Sequence, residues 1–257
     1  MSSFSIFNLN IMHGRNRRSA TFPPRLPRKE IQANLQKIAD LVHERKPDIV
    51  TLQEVDESSM LSGSFNQFEW LAARLEYSHK YFAPSCSISF FGKPLFITGN
   101  AIFSRYPLEN CESYKFDVTF PTDRMGFVIA DAKLPEGKTV AVASVHLVYL
   151  DWLKRNSRET ELQLLEKAIR ARDGSAIVAG DFNCDYLGLE DSLRSFVERL
   201  NLRVYQANAK DMATTPSWGP TRRIDWVLGS KNVQFGDYRT LDAKISDHLP
   251  VFATITL

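Results

Sequence analysis

Residues 246–255 read Ser-Asp-His-Leu-Pro-Val-Phe-Ala-Thr-Ile, so that Asp247 and His248 stand directly before a strand-like apolar run. Neighbouring residues within a strand point to opposite faces of a sheet, but just before a strand both side chains can turn toward one site. An Asp-His pair alone is also compatible with an ordinary polar loop. It gains weight here because similar acid, amide and imidazole clusters stand at other predicted strand ends.

The length and composition of the chain favour one large domain. The chain has 257 residues, of which 44% are hydrophobic, and no linker rich in Gly, Ser or Pro divides it. Folds that combine helices and sheets often reach this length as a single domain. We therefore expect one domain over residues 1–257.

Charge and cysteine content limit the possible environments and partners. The net charge of +2 neither requires nor excludes a polyanionic partner. Cys86, Cys111 and Cys184 lack disulfide or metal-ligand spacing, which favours a reducing compartment. The first residues do not resemble a secretion signal, and no apolar run is long enough to span a bilayer. We expect a cytoplasmic monomer.

Apolar periodicity predicts both helices and strands, with strands in the majority. Helical spacing begins at residue 29 and closes at Pro47, and it recurs over residues 68–75, 158–170 and 189–200. Strand-like runs cover residues 4–10, 48–54, 100–104, 126–132, 139–147, 175–180, 223–228 and 251–256. Because the helices fall between groups of strands, the pattern predicts a mixed α/β sandwich in which helices cover two sheets.

Polar clusters stand where the apolar strands are predicted to stop. They are Asn8/Asn10, Gln53-Glu54, His146, Gly180-Asp181-Phe182-Asn183 and Asp247-His248, with Asp225 inside an Arg-Arg-Ile-Asp-Trp run. Each cluster alone can be a strand-end cap, but burying unpaired carboxylates is costly, so repeated acids indicate a cation or hydrogen-bond partners. A set of oxygen ligands without Cys suits Mg²⁺ or Mn²⁺ better than zinc.

In this order the clusters resemble the motifs of the endonuclease/exonuclease/phosphatase superfamily, which includes DNase I, apurinic endonucleases, inositol polyphosphate 5-phosphatases and neutral sphingomyelinases. Leu52-Gln53-Glu54 resembles the family's metal-binding Leu-Gln-Glu, and residues 180–183 resemble its Gly-Asp-x-Asn. Residues 223–226 and 246–250 resemble its two C-terminal signatures. Residues 99–105 and 145–147 resemble its middle motifs, so the likeness runs from Asn10 to His248.

The resemblance implies both a fold and a reaction. The implied fold is α/β (α+β): a four-layer αββα sandwich of two mixed β-sheets flanked by helices, with the site where the loops of the two sheets converge. The implied reaction is hydrolysis of a phosphodiester or phosphomonoester with Mg²⁺ or Mn²⁺ as cofactor. Glu54 would hold the metal directly, and Asn10 and Asp247 would complete its shell partly through water.

The resemblance also assigns roles to the residues around the metal. Asp181 would orient or deprotonate the attacking water, and Asn183 would bind a phosphate oxygen or position that water. His248, held in one tautomer by Asp225, would stabilise the pentacovalent transition state. His146 would donate to the phosphate or to the leaving oxygen.

Three further residues are expected to bind substrate or to support the site. Arg124 matches a family position whose Arg supports the site, and Asn100 is expected to bond backbone or water nearby. Trp218 is expected to line the cleft, where stacking on a base or sugar and simple packing are both open. Residues 85–98 contain no acid, whereas DNase-like members place there the acid that partners the equivalent of His146.

Two loops are candidates for choosing the substrate. The segment from Arg15 to Lys29 carries six cations and no acid, which is compatible with a solvated loop or with attraction of phosphate. They are Arg15, Arg17, Arg18, Arg25, Arg28 and Lys29. Residues 87–96 are rich in aromatics and could form a hairpin packed on the core, stack on bases or dip into a membrane interface.

Three functional hypotheses remain open from the sequence. The leading one is a Mg²⁺-dependent phosphodiesterase that acts on nucleic acid. The second is a hydrolase of phospholipids or inositol phosphates that uses the same catalytic set, with a lipid head group as partner. The third is a catalytically silent binding module, against which the intact Glu, Asp, Asn and His set argues.

Overall fold

The computed structural model describes residues 2–16, 26–117, 125–149, 157–188 and 191–257. Within these ranges the chain forms eleven strands and four α-helices. The strands are β1 (Ser3–Asn10), β2 (Ile49–Ser59), β3 (His79–Phe90), β4 (Lys93–Ser104), β5 (Leu108–Lys115), β6 (Gly126–Lys133), β7 (Thr139–His146), β8 (Ser175–Asp181), β9 (Asp225–Gly229), β10 (Gln234–Thr240) and β11 (Val251–Thr256). The helices are α1 (Arg28–Arg45), α2 (Gln67–Leu75), α3 (Ser157–Arg170) and α4 (Ser192–Leu200).

The strands form two mixed sheets. One has six strands in the order β10-β11-β1-β2-β4-β3, and the other has five in the order β5-β6-β7-β8-β9. Each sheet contains one parallel pair, β1 with β2 and β7 with β8, while the remaining neighbours are antiparallel. Because parallel strands end at the same edge of a sheet, each pair brings the residues at its carboxyl ends together.

Three apolar clusters separate four layers. The first lies between the six-stranded sheet and the helices α1 and α2, and the second lies between the five-stranded sheet and α3 and α4. The third fills the space between the sheets, where Ile6 and Ile49 of one sheet lie in the same cluster as Val142 and Ile177 of the other. This arrangement confirms the predicted αββα sandwich.

The helices follow the apolar periodicity that predicted them. In α1 the buried residues Ile31, Leu35, Ile38 and Val42 recur at three- and four-residue spacing, and they face the six-stranded sheet. In α2 the side chain of Asn66 accepts a hydrogen bond of 2.9 Å from the Glu69 amide and so caps the helix start. No helix in the described ranges is both long and apolar enough to cross a membrane.

Three strands are absent from the prediction, and all of them lie at sheet edges. They are β3 and β10, which bound the six-stranded sheet, and β5, which bounds the five-stranded one. Residues 87–96 form the outer end of the β3–β4 hairpin, with the turn at Phe91 and Gly92, but this tip does not pack on the core. The exposed fraction is 61% for Phe90 and 90% for Phe91. The predicted hairpin is therefore confirmed, whereas the prediction that this segment packs on the core is wrong for its tip.

Candidate active site

The carboxyl ends of the two parallel pairs meet where the sheets face each other. Asn10 ends β1 beside Gln53 of β2, and Asp181 ends β8 beside His146 of β7. The side-chain nitrogen of Asn10, Nδ2, donates a hydrogen bond of 3.0 Å to Oδ2 of Asp181 and so joins the two sheets directly. The predicted clusters therefore converge on one place.

Asp181 lies at the centre of this group and is buried. Its Oδ1 atom accepts a hydrogen bond of 2.9 Å from the backbone amide of Asn183. Its Oδ2 atom is 3.6 Å from Nε2 of His146 and 3.7 Å from Nε2 of His248. Burial raises the pKa of this carboxyl, and the nearby histidines oppose that rise. A carboxylate between two imidazoles can accept a proton from a bound molecule.

His248 is held from behind by Asp225. Its Nδ1 atom is 2.8 Å from Oδ2 of Asp225, and both side chains are buried. Burial lowers the pKa of His248, but the carboxylates of Asp225 and Asp181 outweigh it, and they raise that pKa well above its ordinary value. This shift favours the protonated imidazole, in which Nδ1 donates to Asp225 and Nε2 lies 3.7 Å from Oδ2 of Asp181.

A bulge in β2 directs Glu54. The pairing of β2 with β4 shifts between Leu52 and Val55, and Glu54 has a positive φ of 55°. Bulges of this kind turn a side chain that would otherwise follow the strand alternation. The Oε1 atom of Glu54 accepts a hydrogen bond of 3.0 Å from the side-chain nitrogen of Asn10. Glu54 thus stays partly exposed, with 22% of its side chain accessible, beside the buried Asp181.

Glu54 and Asp247 are the two carboxylates of the predicted metal set. Both side chains are partly exposed, at 22% and 23%. Burial raises the pKa of Asp247, the nearby His248 opposes that rise, and the charge of Glu54 adds to it. Carboxylate oxygens are ligands that Mg²⁺ and Mn²⁺ prefer, and the metal role of the two residues stays a prediction.

Asp181, Asp225 and His248 form a second group of possible ligands. Their ligand atoms lie within 4.8 Å of one another, and all three residues are buried. Nδ1 of His248 is hydrogen-bonded to Oδ2 of Asp225. The other oxygen of Asp225, Oδ1, is buried without a hydrogen-bond partner among the described residues. This group is therefore both hydrogen-bonded and a candidate site for a cation.

The side-chain amides of the predicted set are fixed by hydrogen bonds. Asn10 turns its nitrogen toward Glu54 and Asp181, while its Oδ1 accepts from the Met12 amide at 3.0 Å. Its role as a metal ligand stays a prediction. Asn183 donates to the carbonyl of Leu147 at 2.8 Å.

Asn100 is buried and donates to the carbonyl of Gly126 at 2.8 Å, which links the two sheets. Trp218 is half-buried, and its neighbour Ser217 bonds the carbonyls of Ser246 and Asp247 at 2.6 and 2.8 Å. Trp218 therefore lies on a loop attached to the site. Arg124 lies outside the described residues.

The basic segment is only partly described. Arg17, Arg18 and Arg25 lie outside the described residues. Arg15 is buried, with 4% exposure, so that it does not extend into solvent. Arg28 and Lys29 are exposed at the start of α1, where the guanidinium of Arg28 lies 4.7 Å from the ring centre of Phe65. Of the three cations of this segment that the structure describes, Arg28 and Lys29 remain accessible to an anionic partner.

A histidine that the sequence reasoning missed completes the cleft. His13 follows β1, and its Nε2 atom is 3.1 Å from Oε2 of Glu54. Its Nδ1 atom is 2.8 Å from Oδ1 of the fully buried Asp56. Burial lowers the pKa of His13, but Asp56 and Glu54 outweigh it and raise that pKa to about 9. The available signal was a His three residues after Asn10 together with an Asp two residues after Glu54.

The missing acid of residues 85–98 is not made up for elsewhere in the cavity wall that these residues form. A small cavity beside Glu54 is lined by His13, Ser85, Asn100, Met125 and His146. Ser85 donates to the Thr98 carbonyl at 3.4 Å, so this wall of the cavity offers a hydroxyl and no carboxylate. The Nε2 atom of His146 instead lies 3.6 Å from Oδ2 of Asp181 and 3.9 Å from Oε1 of Glu54.

Asn8 and Gln53 serve the framework under the site. Gln53 donates to Oδ1 of Asn8 at 3.0 Å and to the hydroxyl of Ser144 at 2.9 Å. Ser144 donates in turn to the Leu52 carbonyl at 3.1 Å. All these polar side chains are buried between the sheets, so they connect β1 and β2 to β7 rather than face the cleft.

The model of the Endonuclease/Exonuclease/phosphatase family matches residues 31–248, which is most of the chain. The chain belongs to this family. The resemblance that the motifs predicted is thereby confirmed. A comparison with curated proteins gives no match.

Solved structures of this family share the fold at low sequence identity. An endonuclease/exonuclease/phosphatase from Beutenbergia cavernae DSM 12333 is 19% identical with a TM-score of 0.75, covering 99% of this chain and 72% of its own. A mannosyl-6-phosphatase from Bacteroides thetaiotaomicron VPI-5482 is 14% identical with a TM-score of 0.73, covering 99% and 100%. Sphingomyelinase C from Streptomyces griseocarneus is 16% identical with a TM-score of 0.70, covering 99% of each chain. Such likeness shows the fold and leaves the substrate open.

Proposed function

We propose that this member of the endonuclease/exonuclease/phosphatase family is a Mg²⁺- or Mn²⁺-dependent phosphodiesterase that acts on nucleic acid. Hydrolysis of phosphoester bonds is the activity of the family to which the chain belongs. The observation that carries the proposal is the position of Asp181, whose Oδ2 atom lies within 3.7 Å of His146 and His248 beside Glu54. This arrangement offers a base for water and two imidazoles for a phosphate.

Glu54 would hold the cation, with Asp247 and Asn10 completing its surroundings. A bound divalent cation neutralises charge on the phosphate oxygens and on the leaving group. Asn10 keeps Glu54 in place through its bond to Oε1 at 3.0 Å. The Ser246 hydroxyl oxygen lies 2.7 Å from the Asn10 carbonyl oxygen and 3.1 Å from Oδ1 of Asp247, so its single proton can be donated to either ligand-bearing loop.

Asp181 would orient the attacking water and accept its proton. Burial raises the pKa of this carboxyl, which makes it a stronger base than an exposed Asp. The Asn183 amide and the Asn10 side chain hold its two oxygens at 2.9 and 3.0 Å, so that the carboxylate cannot turn away. Asn183 would bind a phosphate oxygen or position the same water.

The two histidines would act on the phosphate. The carboxylates of Asp225 and Asp181 raise the pKa of His248, which favours its protonated form, and Asp225 holds the ring so that Nε2 faces the cleft. A fixed donor of this kind stabilises charge that develops on a phosphate oxygen in the transition state. Nε2 of His146 lies 3.6 Å from the same oxygen of Asp181 and would donate to the phosphate or to the leaving oxygen.

Aromatic and cationic groups around the cleft support nucleic acid as the substrate. Trp218 is half-buried on the loop bonded to Asp247, where a base or sugar can stack on it. Arg28 and Lys29 are exposed at the start of the helix that follows the basic segment. Arg124 and Asn100 remain candidates for substrate contact or support.

A phospholipid or inositol phosphate is the second candidate, and the β3–β4 tip favours it. Phe90 and Phe91 are 61% and 90% exposed, and residues 85–98 contain one cation, Lys93, and no acid. Two exposed aromatic rings beside a Lys and away from acids suit an anionic membrane surface. The same site would then meet a lipid head group.

The purified chain assayed with Mg²⁺ and Mn²⁺ separates these candidates. The substrates are DNA, RNA, bis-p-nitrophenyl phosphate, inositol phosphates and vesicles that contain sphingomyelin or phosphoinositides. We expect cleavage of nucleic acid that weakens steeply as salt rises, because phosphate contacts release counterions. Turnover of lipids or inositol phosphates without turnover of nucleic acid would replace the first candidate by the second.

We further propose that residues 1–257 act as a single domain and as a cytoplasmic monomer. The three cysteines are free, and two of them, Cys86 and Cys184, are buried, which supports a reducing compartment. Sedimentation at micromolar concentration should give the mass of one chain. Limited proteolysis should leave no separately stable fragment if the chain is a single domain.

A further inference from the structure

His13 and Asp56 form a second imidazole–carboxylate pair beside the one formed by His248 and Asp225. In each pair Nδ1 of the histidine lies 2.8 Å from a buried Asp. In each pair Nε2 points toward another carboxylate, since His13 is 3.1 Å from Glu54 and His248 is 3.7 Å from Asp181. The second pair faces the site, yet it has no place in the reaction described so far.

Several contacts fix the ring of His13. The carboxylate of Asp56 also accepts a hydrogen bond from the Ser62 hydroxyl. The backbone N–H of Asp56 donates to Oε1 of Gln67 at 3.3 Å. The side-chain amide of Gln67 in turn donates to the backbone carbonyl of His13 at 2.8 Å. The edge of Phe96 lies against the imidazole, with the ring centres 5.3 Å apart. Because Asp56 is fully buried, the imidazole has a rigid support.

The backbone at His13 indicates that this position is costly to maintain. His13 has a φ of 55° and Met12 a φ of 48°, both in the left-handed region that residues other than Gly disfavour. Such conformations persist where the surroundings over-determine them, and they cluster at functional sites. The strained turn brings the His13 ring to Glu54.

We propose that His13, supported by Asp56, is a positioning residue that fixes Glu54 for the divalent cation. Glu54 has a flexible side chain, and its two oxygens are held from two sides, Oε1 by Asn10 at 3.0 Å and Oε2 by His13 at 3.1 Å. Removing the second contact lets the carboxylate rotate away from the orientation that binds metal. Partners of metal ligands contribute about 10- to 100-fold to metal affinity in other proteins.

The test is the affinity for Mn²⁺ alone, measured on the full chain by calorimetry or by electron paramagnetic resonance. In His13→Asn the amide nitrogen stands near the place of Nδ1, so this variant keeps the contact to Asp56 and loses the one to Glu54. Asn also tolerates a positive φ better than most residues. In His13→Gln the amide nitrogen stands near the place of Nε2 and keeps the contact to Glu54. His13→Ala loses both, and His43→Asn, exposed on α1, is the matched control.

We expect Mn²⁺ affinity to fall about 10- to 100-fold in His13→Asn and His13→Ala. His13→Gln should stay within a few-fold of the wild type, and His43→Asn should equal it. Should His13→Asn not fold, the comparison of His13→Ala with His13→Gln carries the same test. Wild-type affinity in both Asn and Ala variants would overturn the inference. Equal loss in the Asn, Gln and Ala variants would also overturn it, because the imidazole would then bind the cation itself.

The inference rests on the proposed role of Glu54 as a metal ligand, and Glu54→Gln separates the two. Wild-type Mn²⁺ affinity in Glu54→Gln would remove the role of Glu54 and the inference with it. Loss of affinity in Glu54→Gln, with none in His13→Asn or His13→Ala, would overturn the role of His13 and leave that of Glu54 intact.

Discussion

Nδ1 of His248 lies 2.8 Å from Oδ2 of Asp225, and both side chains are buried. His248 belongs to the loop before β11, whereas Asp225 begins β9 in the other sheet. The pair therefore depends on the packing of the two sheets as well as on local sequence. It also fixes which nitrogen of His248 faces the cleft.

Asp225→Asn should reduce turnover while it preserves the fold. The amide has the same shape as the carboxylate, but it lacks the charge that raises the pKa of His248. We expect kcat on bis-p-nitrophenyl phosphate to fall about 10²- to 10⁴-fold, the range that positioned acids and bases contribute. Circular dichroism checks that the variant is folded, and a folded variant with wild-type kcat would show that His248 acts without Asp225.

Gln53→Leu should destabilise the fold. The change leaves the buried polar groups of Asn8 and Ser144 with fewer partners. We expect the free energy of unfolding, measured by urea titration, to fall by about 1–3 kcal/mol. Gln163→Leu on the exposed face of α3 is the control and should change it by no more than about 0.5 kcal/mol. Equal effects of both changes would refute the role of the inter-sheet network.

Gly180→Ala should destabilise the strand that carries Asp181. A Cβ atom at Gly180 would collide with the carbonyl oxygen of Val145 on the neighbouring strand. We expect a loss of about 1–3 kcal/mol in the free energy of unfolding, measured by urea titration. Gly219→Ala is matched to it, because a Cβ atom there meets nothing within 4 Å. A neutral Gly180→Ala would mean that β7 and β8 can separate without cost.

The aromatic tip of the β3–β4 hairpin should contribute to binding of large substrates. Replacing Phe90 and Phe91 by Ser removes two exposed rings. If each stacks on a base, loss of one costs about 1–3 kcal/mol, or about 5- to 150-fold in KM. We expect the KM for a single-stranded oligonucleotide to rise more than the KM for bis-p-nitrophenyl phosphate. Equal changes in both would exclude a role in binding the larger substrate.

The sequence predicts the interior of this fold better than its margins. The four helices and eight strands with strong apolar periodicity are confirmed, and β11 has the predicted bounds. The missed strands β3, β5 and β10 lie at sheet edges, where exposed residues hide the alternation. In β5 six of the eight residues are exposed and none is buried, so nothing in its pattern separates it from a loop.

The motifs predicted which residues meet, but the way they are held is a property of the fold. Asp181, Asp225 and His248 were recognisable because each ends or precedes an apolar strand. The bulge that turns Glu54 depends on the register of β2 against β4, and no local pattern announces it. The partnership of His13 with Asp56 arises because β1 and β2 run in parallel, which brings together side chains 43 residues apart.

Metal-dependent hydrolysis of bis-p-nitrophenyl phosphate tests the central claim most directly. The wild type is measured with Mg²⁺ and with a chelator, beside Glu54→Ala, His248→Ala and the exposed control His43→Asn. We predict activity that the chelator removes and Mg²⁺ restores, a fall of at least about 10²-fold in the first two variants and wild-type turnover in the third. Wild-type turnover in folded Glu54→Ala and His248→Ala, or activity that persists with the chelator, would contradict the account.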